Sequence, residues 1–311
     1  MAKKKLIAIV VVGLMVVAGG FYPVYADLAR GGDGGNFKAN LPVYADSGGS
    51  VSFELAADFP EVSSRAMVYK VKPPEVTPEK VAQMGRRLGL QGEVEAWPDM
   101  IAMTDESSGE TRHLSVWVAS GAVDYGFTPF MHKLYPDIPP TLPSEEEAKE
   151  IATQFLAQAG LLPPGAYVSE VLEGGRCGGD GQPSYLAHLL VRFTWEIDGV
   201  PVTSTKFGLR IGDGGEVVQL VRVYREVEPY KEVSIRSPQK AYQDLLAGKG
   251  SYAAPSDSHK VVVEKVSLAY WMEPAPIQQE YVIPVYEFKG KCLDASGEYL
   301  EDFLGWCQAT S

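Results

Sequence analysis

The chain has 311 residues, of which 45% are hydrophobic, and its formal net charge at pH 7 is −12. This length and apolar content allow a sizeable buried core and more than one domain. The acidic balance argues against nucleic acid and anionic lipid surfaces as partners, because both would repel the chain.

The N-terminal segment, residues 1–26, has the pattern of an export signal. Three lysines at positions 3–5 precede an uncharged apolar run over 6–17, and Ala26 supplies a small residue for cleavage. This order is typical of a secretory signal peptide. An uncleaved anchor is the alternative, because the apolar stretch as far as Tyr22 reaches the lower end of the ~17–25 residues that span a bilayer. In both cases we expect an extracytoplasmic body that meets the membrane only through this segment.

Residues 27–62 predict a flexible tether. Glycines dominate residues 31–35, and the sequence Pro-Val-Tyr-Ala-Asp occurs at both 23–27 and 42–46. Glycine-rich sequence of low complexity is typical of linkers. We expect this stretch to connect the N-terminal segment with the folded body.

The first predicted module covers residues 63–135 and contains one helix. Thr77 is a suitable N-cap and Pro78 occupies the first helical position, so we predict a helix over 77–88. Apolar alternation predicts strands over 67–72, 93–103 and 111–120.

The second predicted module covers residues 143–230. Ser144 and Glu147 form a capping-box pattern, and apolar residues recur at helical spacing behind them, so a helix is predicted over 144–159. Asp198-Gly199 is a two-residue hairpin signal. The predicted strands are 185–197, 202–211 and 216–224, which gives a helix followed by an antiparallel meander.

The third predicted module covers residues 236–290, and residues 291–311 are expected to be a C-terminal tail. Ser237 is the N-cap of a helix predicted over 237–247. Strands are predicted over 260–271 and 280–288. The predicted fold is therefore α+β: tandem modules, each a helix packed on an antiparallel sheet, after the export or anchor segment.

The sequence over 193–202, Phe-Thr-Trp-Glu-Ile-Asp-Gly-Val-Pro-Val, resembles the strand–turn–strand of exported PepSY-like modules. The helix start at Ser237 and the sequence over 281–288 are similar to the same pattern. Such modules occur in propeptides of secreted metalloproteases, and similar ones form the external domains of YycH/YycI-type regulators of a cell-wall-sensing kinase. The resemblance covers roughly residues 144–290, and more loosely 67–120. It implies a non-catalytic inhibitory or regulatory role.

The sequence contains no recognised catalytic, nucleotide-binding or metal-binding motif. Its four histidines do not have ligand spacing: His113, His132, His188 and His259. We therefore expect no catalytic residue, no metal ligand and no cofactor. Most aromatic side chains should be buried, although an aromatic groove for a peptide or a glycan is an alternative. The candidates for such a groove are Trp195, Tyr224, Tyr270, Trp271, Tyr281 and Tyr286.

Two features of the C-terminal region are candidate sites. Cys292 and Cys307 flank a short loop-rich stretch and are predicted to form a disulfide outside the cell, whereas Cys177 lies in a glycine-rich loop. Pro284 cannot donate to a strand ladder, so its strand is predicted to be an edge. This edge either accepts a partner's strand or is only protected by the proline against aggregation. The residues of this predicted edge are Tyr281, Ile283, Pro284 and Val285.

These observations predict that the chain is a non-enzymatic, extracytoplasmic regulatory or protein-binding module at the bacterial cell envelope. Its expected partner is an envelope protein such as a sensor kinase. One alternative is a secreted PepSY-like inhibitor or chaperone of a peptidase. A second alternative is a hydrolase with an unrecognised carboxylate site, which would require two close acids whose pKa values differ.

Overall fold

The computed structural model describes residues 37–42, 51–128, 131–178 and 184–310. The predicted export or anchor segment, residues 1–26, lies outside the described residues. Within the part of the chain that is described, no helix is long and apolar enough to cross a membrane. The fold is α+β, with mostly antiparallel sheets and a few short helices, which confirms the predicted fold class.

The described residues form four α-helices, one short 3-10 helix (Asp213–Gly215) and nineteen strands. The helices are α1 (Pro78–Arg87), α2 (Met131–Leu134), α3 (Glu145–Ala159) and α4 (Pro238–Leu246). The strands are, in chain order, β1 (Ser52–Leu55), β2 (Arg65–Val71), β3 (Glu93–Ala96), β4 (Met100–Asp105), β5 (Thr111–Trp117), β6 (Val123–Thr128), β7 (Tyr167–Glu173), β8 (Arg176–Cys177), β9 (Tyr185–Leu186), β10 (Leu189–Thr194), β11 (Glu196–Ile197), β12 (Val200–Thr203), β13 (Phe207–Ile211), β14 (Val217–Arg222), β15 (Val227–Ser234), β16 (Ser251–Ala253), β17 (Lys260–Trp271), β18 (Tyr281–Leu293) and β19 (Tyr299–Gln308).

The three longer helices begin at the predicted N-caps. The side chains of Thr77, Ser144 and Ser237 each accept a hydrogen bond from the backbone N–H three residues later. At α3 the Glu147 side chain also accepts from the Ser144 backbone, which completes the capping box. Each such cap stabilises a helix by about 1 kcal/mol. Gly160, in the left-handed conformation at φ 71°, ends α3.

Helices α1 and α3 cover one face of an eight-stranded sheet with the order β3-β4-β5-β6-β14-β13-β10-β7. Each half of this sheet is a helix followed by a four-stranded antiparallel meander, and the halves meet where β6 pairs with β14. Apolar side chains from both helices and from the strands form one core between them, including Val81, Leu114, Leu156 and Val191. The two halves therefore share a single sheet.

The second large sheet, here called the C-terminal sheet, has nine strands. Its main order is β11-β12-β17-β18-β19-β16, with β1 parallel to β17 and with the antiparallel pair β2 and β15 joined to β18. Helix α4 packs on one face above a core that includes Tyr286, Phe288 and Phe303.

The sheets do not follow the predicted module boundaries. Strands β2, β11, β12 and the first half of β15 come from the predicted modules 63–135 and 143–230 but pair within the C-terminal sheet. The predicted strand 185–197 is divided into β9, β10 and β11, with breaks at 187–188 and at Trp195, whose ring packs against Phe207 and Tyr224. The hairpin turn at Asp198 and Gly199 forms as predicted, with φ of 50° and 77°.

Two segments expected to be irregular pack against the C-terminal sheet. The predicted tail over 291–311 contributes the end of β18 and all of β19, a strand paired on both sides. Within the predicted tether, β1 joins β17, and residues 37–42 contact the sheet. The predicted tail and the predicted tether are ordered for the same reason: apolar side chains in both segments pack against the sheet.

Candidate functional site

The predicted binding edge at residues 281–285 is wrong, because β18 is a central strand. It pairs with β17 on one side; on the other it pairs with β2 at Tyr281 and Val282 and with β19 from Val285 onward. Pro284 lies where the partner changes, and its carbonyl oxygen accepts a hydrogen bond from the Ala309 N–H. The proline is tolerated because no strand requires an N–H at this position. Ile283 and Val285 are fully buried.

The predicted disulfide is also wrong. Both thiols are free, and in the ladder of β18 with β19 Cys307 lies opposite Tyr286, while Cys292 lies opposite Glu301. Six residues along a strand separate the two sites by about 20 Å. Cα atoms more than ~7 Å apart cannot be joined without backbone movement. Burial raises the pKa of both thiols, so each behaves as a small core residue.

The eight-stranded sheet has a second face, opposite α1 and α3, which we call the outer face. Side chains along β10 and β13 alternate between buried positions under the helices and partly exposed positions on the outer face. One row crosses six strands in register and is mostly polar: Thr104, His113, Gly126, Gln219, Arg210 and Leu190. Antiparallel sheets commonly leave one face to solvent in this way.

His113 lies flat across the centre of the outer face, above Gly126. Its Nε2 is 3.1 Å from Asp124 Oδ1, and its Nδ1 is 3.0 Å from Thr128 Oγ1. In the tautomer that carries hydrogen on Nε2, this nitrogen donates to the Asp124 carboxylate and Nδ1 accepts from the Thr128 hydroxyl. The order carboxylate, imidazole, hydroxyl is that of a hydrolase triad, but the two ring nitrogens are exchanged. The surrounding backbone N–H groups belong to paired strands, however, and are used in the ladders rather than aimed at a developing oxyanion.

Arg210 extends the polar row towards His188. Its Nε donates to His188 Nε2 at 3.2 Å, and its Nη1 donates to Gln219 Oε1 at 2.8 Å. The other ring nitrogen of His188, Nδ1, donates to the Leu134 carbonyl at 3.1 Å. Burial lowers the pKa of His188 to about 4, so the imidazole is neutral at neutral pH and its tautomer is fixed by these two partners.

A cleft of about 570 Å³ opens near His188, between the chain after α2 and the strand pair β8 and β9. The Tyr185 hydroxyl donates to the Pro136 carbonyl at 2.6 Å and holds one wall in place. The Tyr135 ring contacts the His188 ring edge-to-face at 6.2 Å, which joins the cleft to the outer face. The lining residues are Tyr135, Pro136, Asp137, Pro139, Cys177, Gly178 and Tyr185.

A second site lies on the C-terminal sheet, on the face opposite α4. Residues 37–42, here called the strap, cross this face. Phe37 contacts the rings of Tyr230 and Tyr281, and Ala39 and Leu41 pack with Trp271 and Trp306. Trp271, which is fully buried, and Tyr281, which is partly buried, are two of the six aromatic residues named above as groove candidates.

Glu273 lies below the strap and is almost completely buried. Its Oε1 accepts from the Asn40 backbone N–H at 3.0 Å, while Oε2 has no hydrogen bond of good geometry among the described residues. Burial raises the pKa of Glu273 to about 7. Arg225 and Gln279 stabilise the loop that contains Glu273. The Arg225 guanidinium donates to three carbonyls within 273–277, and the Gln279 side-chain oxygen accepts from the Glu273 N–H.

Sequence reasoning identified neither the cleft nor the strap. The cleft joins residues that are about 50 positions apart, and only tertiary structure brings them together. The strap had one local signal, the alternation of Phe37, Ala39 and Leu41, within a glycine-rich region that suggested a linker. Among the described residues, no three acidic, histidine or cysteine side chains are placed to hold a metal ion.

Comparison with known proteins identifies no family. No family model matches the sequence, and no curated protein matches it. Among solved structures, the chain is similar to an uncharacterized protein from Eubacterium rectale ATCC 33656, whose crystal structure was determined at 1.45 Å resolution. The TM-score is 0.47 at 9% sequence identity, and the match covers 82% of this chain and 87% of that one. This similarity says nothing about function.

Proposed function

We propose that the chain is a non-enzymatic protein-binding module on the extracytoplasmic side of the cell envelope, where it regulates the protein that it binds. The observation that carries this proposal is the cleft between Tyr135 and Tyr185, which continues into the polar outer face. The export pattern of residues 1–26 supports the location.

The cleft has the physical properties of a protein-binding surface. Ile138 is 74% exposed and Tyr135 is 41% exposed, so large apolar side chains face solvent beside a concave wall. Exposed apolar side chains next to a pocket favour protein partners, and aromatic anchors contribute most to such interfaces. The hydrogen bonds of Tyr185 and His188 fix the walls before binding, which lowers the ordering cost.

Two partner classes remain within this proposal. A sensor kinase is expected from the resemblance to YycH/YycI-type regulators, and a peptidase is expected if the chain is a PepSY-like inhibitor or chaperone. The hydrolase alternative is less well supported. Glu273 is an acid with a raised pKa, but its carboxyl group is buried beneath the strap, where it accepts a hydrogen bond from the Asn40 N–H.

The test is site-specific photocrosslinking in the native envelope. A photoreactive amino acid at position 138 of the full-length chain should give one discrete adduct, which mass spectrometry identifies. The matched control is position 299, where Tyr299 is 59% exposed on the C-terminal sheet. A kinase in the adduct supports the regulator, and a peptidase supports the inhibitor or chaperone. The same diffuse set of adducts from both positions would contradict the proposed surface.

A further inference from the structure

The strap is bound to the C-terminal sheet in the manner of an extended peptide ligand. Phe37, Ala39 and Leu41 contact the sheet at alternate positions and Lys38 is exposed, whereas Asn40 is partly buried and Pro42 is buried. The inward-facing positions thus take an aromatic, a small and a branched apolar side chain. Period-two alternation of this kind is the mode by which extended peptides are recognised.

Among the described residues, the hydrogen bonds to the strap involve its backbone groups. The Gln308 side chain donates to the Phe37 carbonyl at 2.7 Å and accepts from the Ala39 N–H at 3.2 Å, as a neighbouring strand would. Glu273 accepts from the Asn40 N–H, and the Ser251 hydroxyl donates to the Pro42 carbonyl. Because backbone groups are common to all residues, another segment with suitable inward side chains satisfies the same donors and acceptors.

The floor beneath the strap is preorganised. The Trp306 indole N–H donates to Thr203 Oγ1 at 3.2 Å, and the Thr203 hydroxyl in turn donates to Glu287. The ring of Trp306 lies edge-to-face with that of Trp271 at 5.3 Å. This network fixes the apolar floor independently of the strap, so the groove does not need its present occupant in order to form.

Glu273 makes one polar contact with the strap. Its carboxyl group is buried, and Oε1 accepts from the Asn40 backbone N–H. Burial raises the pKa of this carboxyl, and a hydrogen bond from the Trp271 side chain, which belongs to the floor, opposes this shift. Any extended segment that presents a backbone N–H at the position of Asn40 would therefore satisfy Glu273 as the strap does.

We propose that this groove binds an extended peptide segment of a partner protein, and that the strap is an internal competitor for it. The expected ligand has an aromatic, a small and a branched apolar residue at alternate positions, followed by proline, as in the strap itself. Displacement of the strap would free the chain between the N-terminal segment and the folded body.

The test measures binding of a fluorescent peptide with the sequence of residues 36–43 to the full-length chain. A competitor in the same chain lowers apparent affinity in proportion to the fraction of free groove. We expect the double variant Phe37→Ala, Leu41→Ala to bind the peptide at least about tenfold more tightly than the wild type. The variant Leu246→Ala, which alters an exposed side chain on α4, should bind as the wild type does.

Two controls place the peptide in the groove. A peptide with serine at its Phe and Leu positions should not bind, and adding Gln308→Ala to the double variant should weaken binding again.

Equal affinities of the wild type and the double variant would overturn the proposal. A wild-type dimer that the double variant loses would show that a second copy occupies the groove, and would overturn the assignment to a partner. These outcomes do not depend on crosslinking from position 138. The proposal of a binding cleft and the proposal of a peptide groove can therefore be refuted independently.

Discussion

Replacing Glu273 with glutamine is expected to remove a pH dependence of stability. Burial raises the pKa of this carboxyl from 4.5 to about 7, although Arg225 partly opposes the shift. The folded chain therefore holds the proton more tightly than the unfolded chain. The stabilisation of the folded chain by protonated Glu273 is fully present below pH 4.5 and is lost as the pH rises through about 7.

The magnitude follows from the two pKa values. One pKa unit corresponds to about 1.4 kcal/mol, so burying the ionised carboxylate costs about 3 kcal/mol in full, of which about 2 kcal/mol develops between pH 5.5 and pH 8. Glutamine is uncharged, and its Oε1 can still accept from the Asn40 N–H. The free energy of unfolding of the variant should therefore lack this component.

The assay is urea unfolding of the wild type and of Glu273→Gln at pH 5.5 and pH 8, followed by tryptophan fluorescence. We expect the free energy of unfolding of the variant, relative to that of the wild type, to be about 2 kcal/mol higher at pH 8 than at pH 5.5. Glu298→Gln removes an exposed carboxylate and is the matched control. Parallel pH profiles for the wild type and Glu273→Gln would refute the account of this buried acid.

Three further predictions concern local features of the fold. Ser144→Ala removes the α3 cap and should lower the free energy of unfolding by about 1 kcal/mol in urea titrations; an unchanged midpoint would contradict the role of the cap. Gly174→Ala places a Cβ 2.2 Å from the His188 ring, so we expect a loss of about 1–3 kcal/mol in thermal unfolding, and an unaltered melting temperature would show that the ring can move. Alkylation of the unreduced, denatured protein should label both Cys292 and Cys307, and a mass lower by two hydrogens would mean that they are bridged.

The helices and the tight hairpin were predictable from the sequence, because their signals are local. Thr77, Ser144 and Ser237 each satisfy a backbone N–H three residues away, so the pattern and the contact lie in the same short segment. The turn at Asp198 and Gly199 is likewise decided by two residues that tolerate positive φ.

The assignment of strands to sheets was not predictable, because pairing depends on distant parts of the chain. Pro284 gave the local signal of an edge, but a change of partner from β2 to β19 accommodates it inside the C-terminal sheet. Cys292 and Cys307 are close in sequence, yet they are separated along the strand because β18 and β19 form a long hairpin. The cleft and the strap depend on such long-range pairing as well.

The most direct test of the proposed binding surface is the affinity of the chain for the partner that crosslinks to position 138. Ile138→Asp places a charge beside the cleft, whereas Tyr299→Asp places the same charge on a similarly exposed site of the C-terminal sheet. Because a central apolar anchor contributes on the order of 2 kcal/mol, we expect the dissociation constant to rise at least about tenfold for Ile138→Asp alone. Equal dissociation constants for the two variants would contradict binding at the cleft.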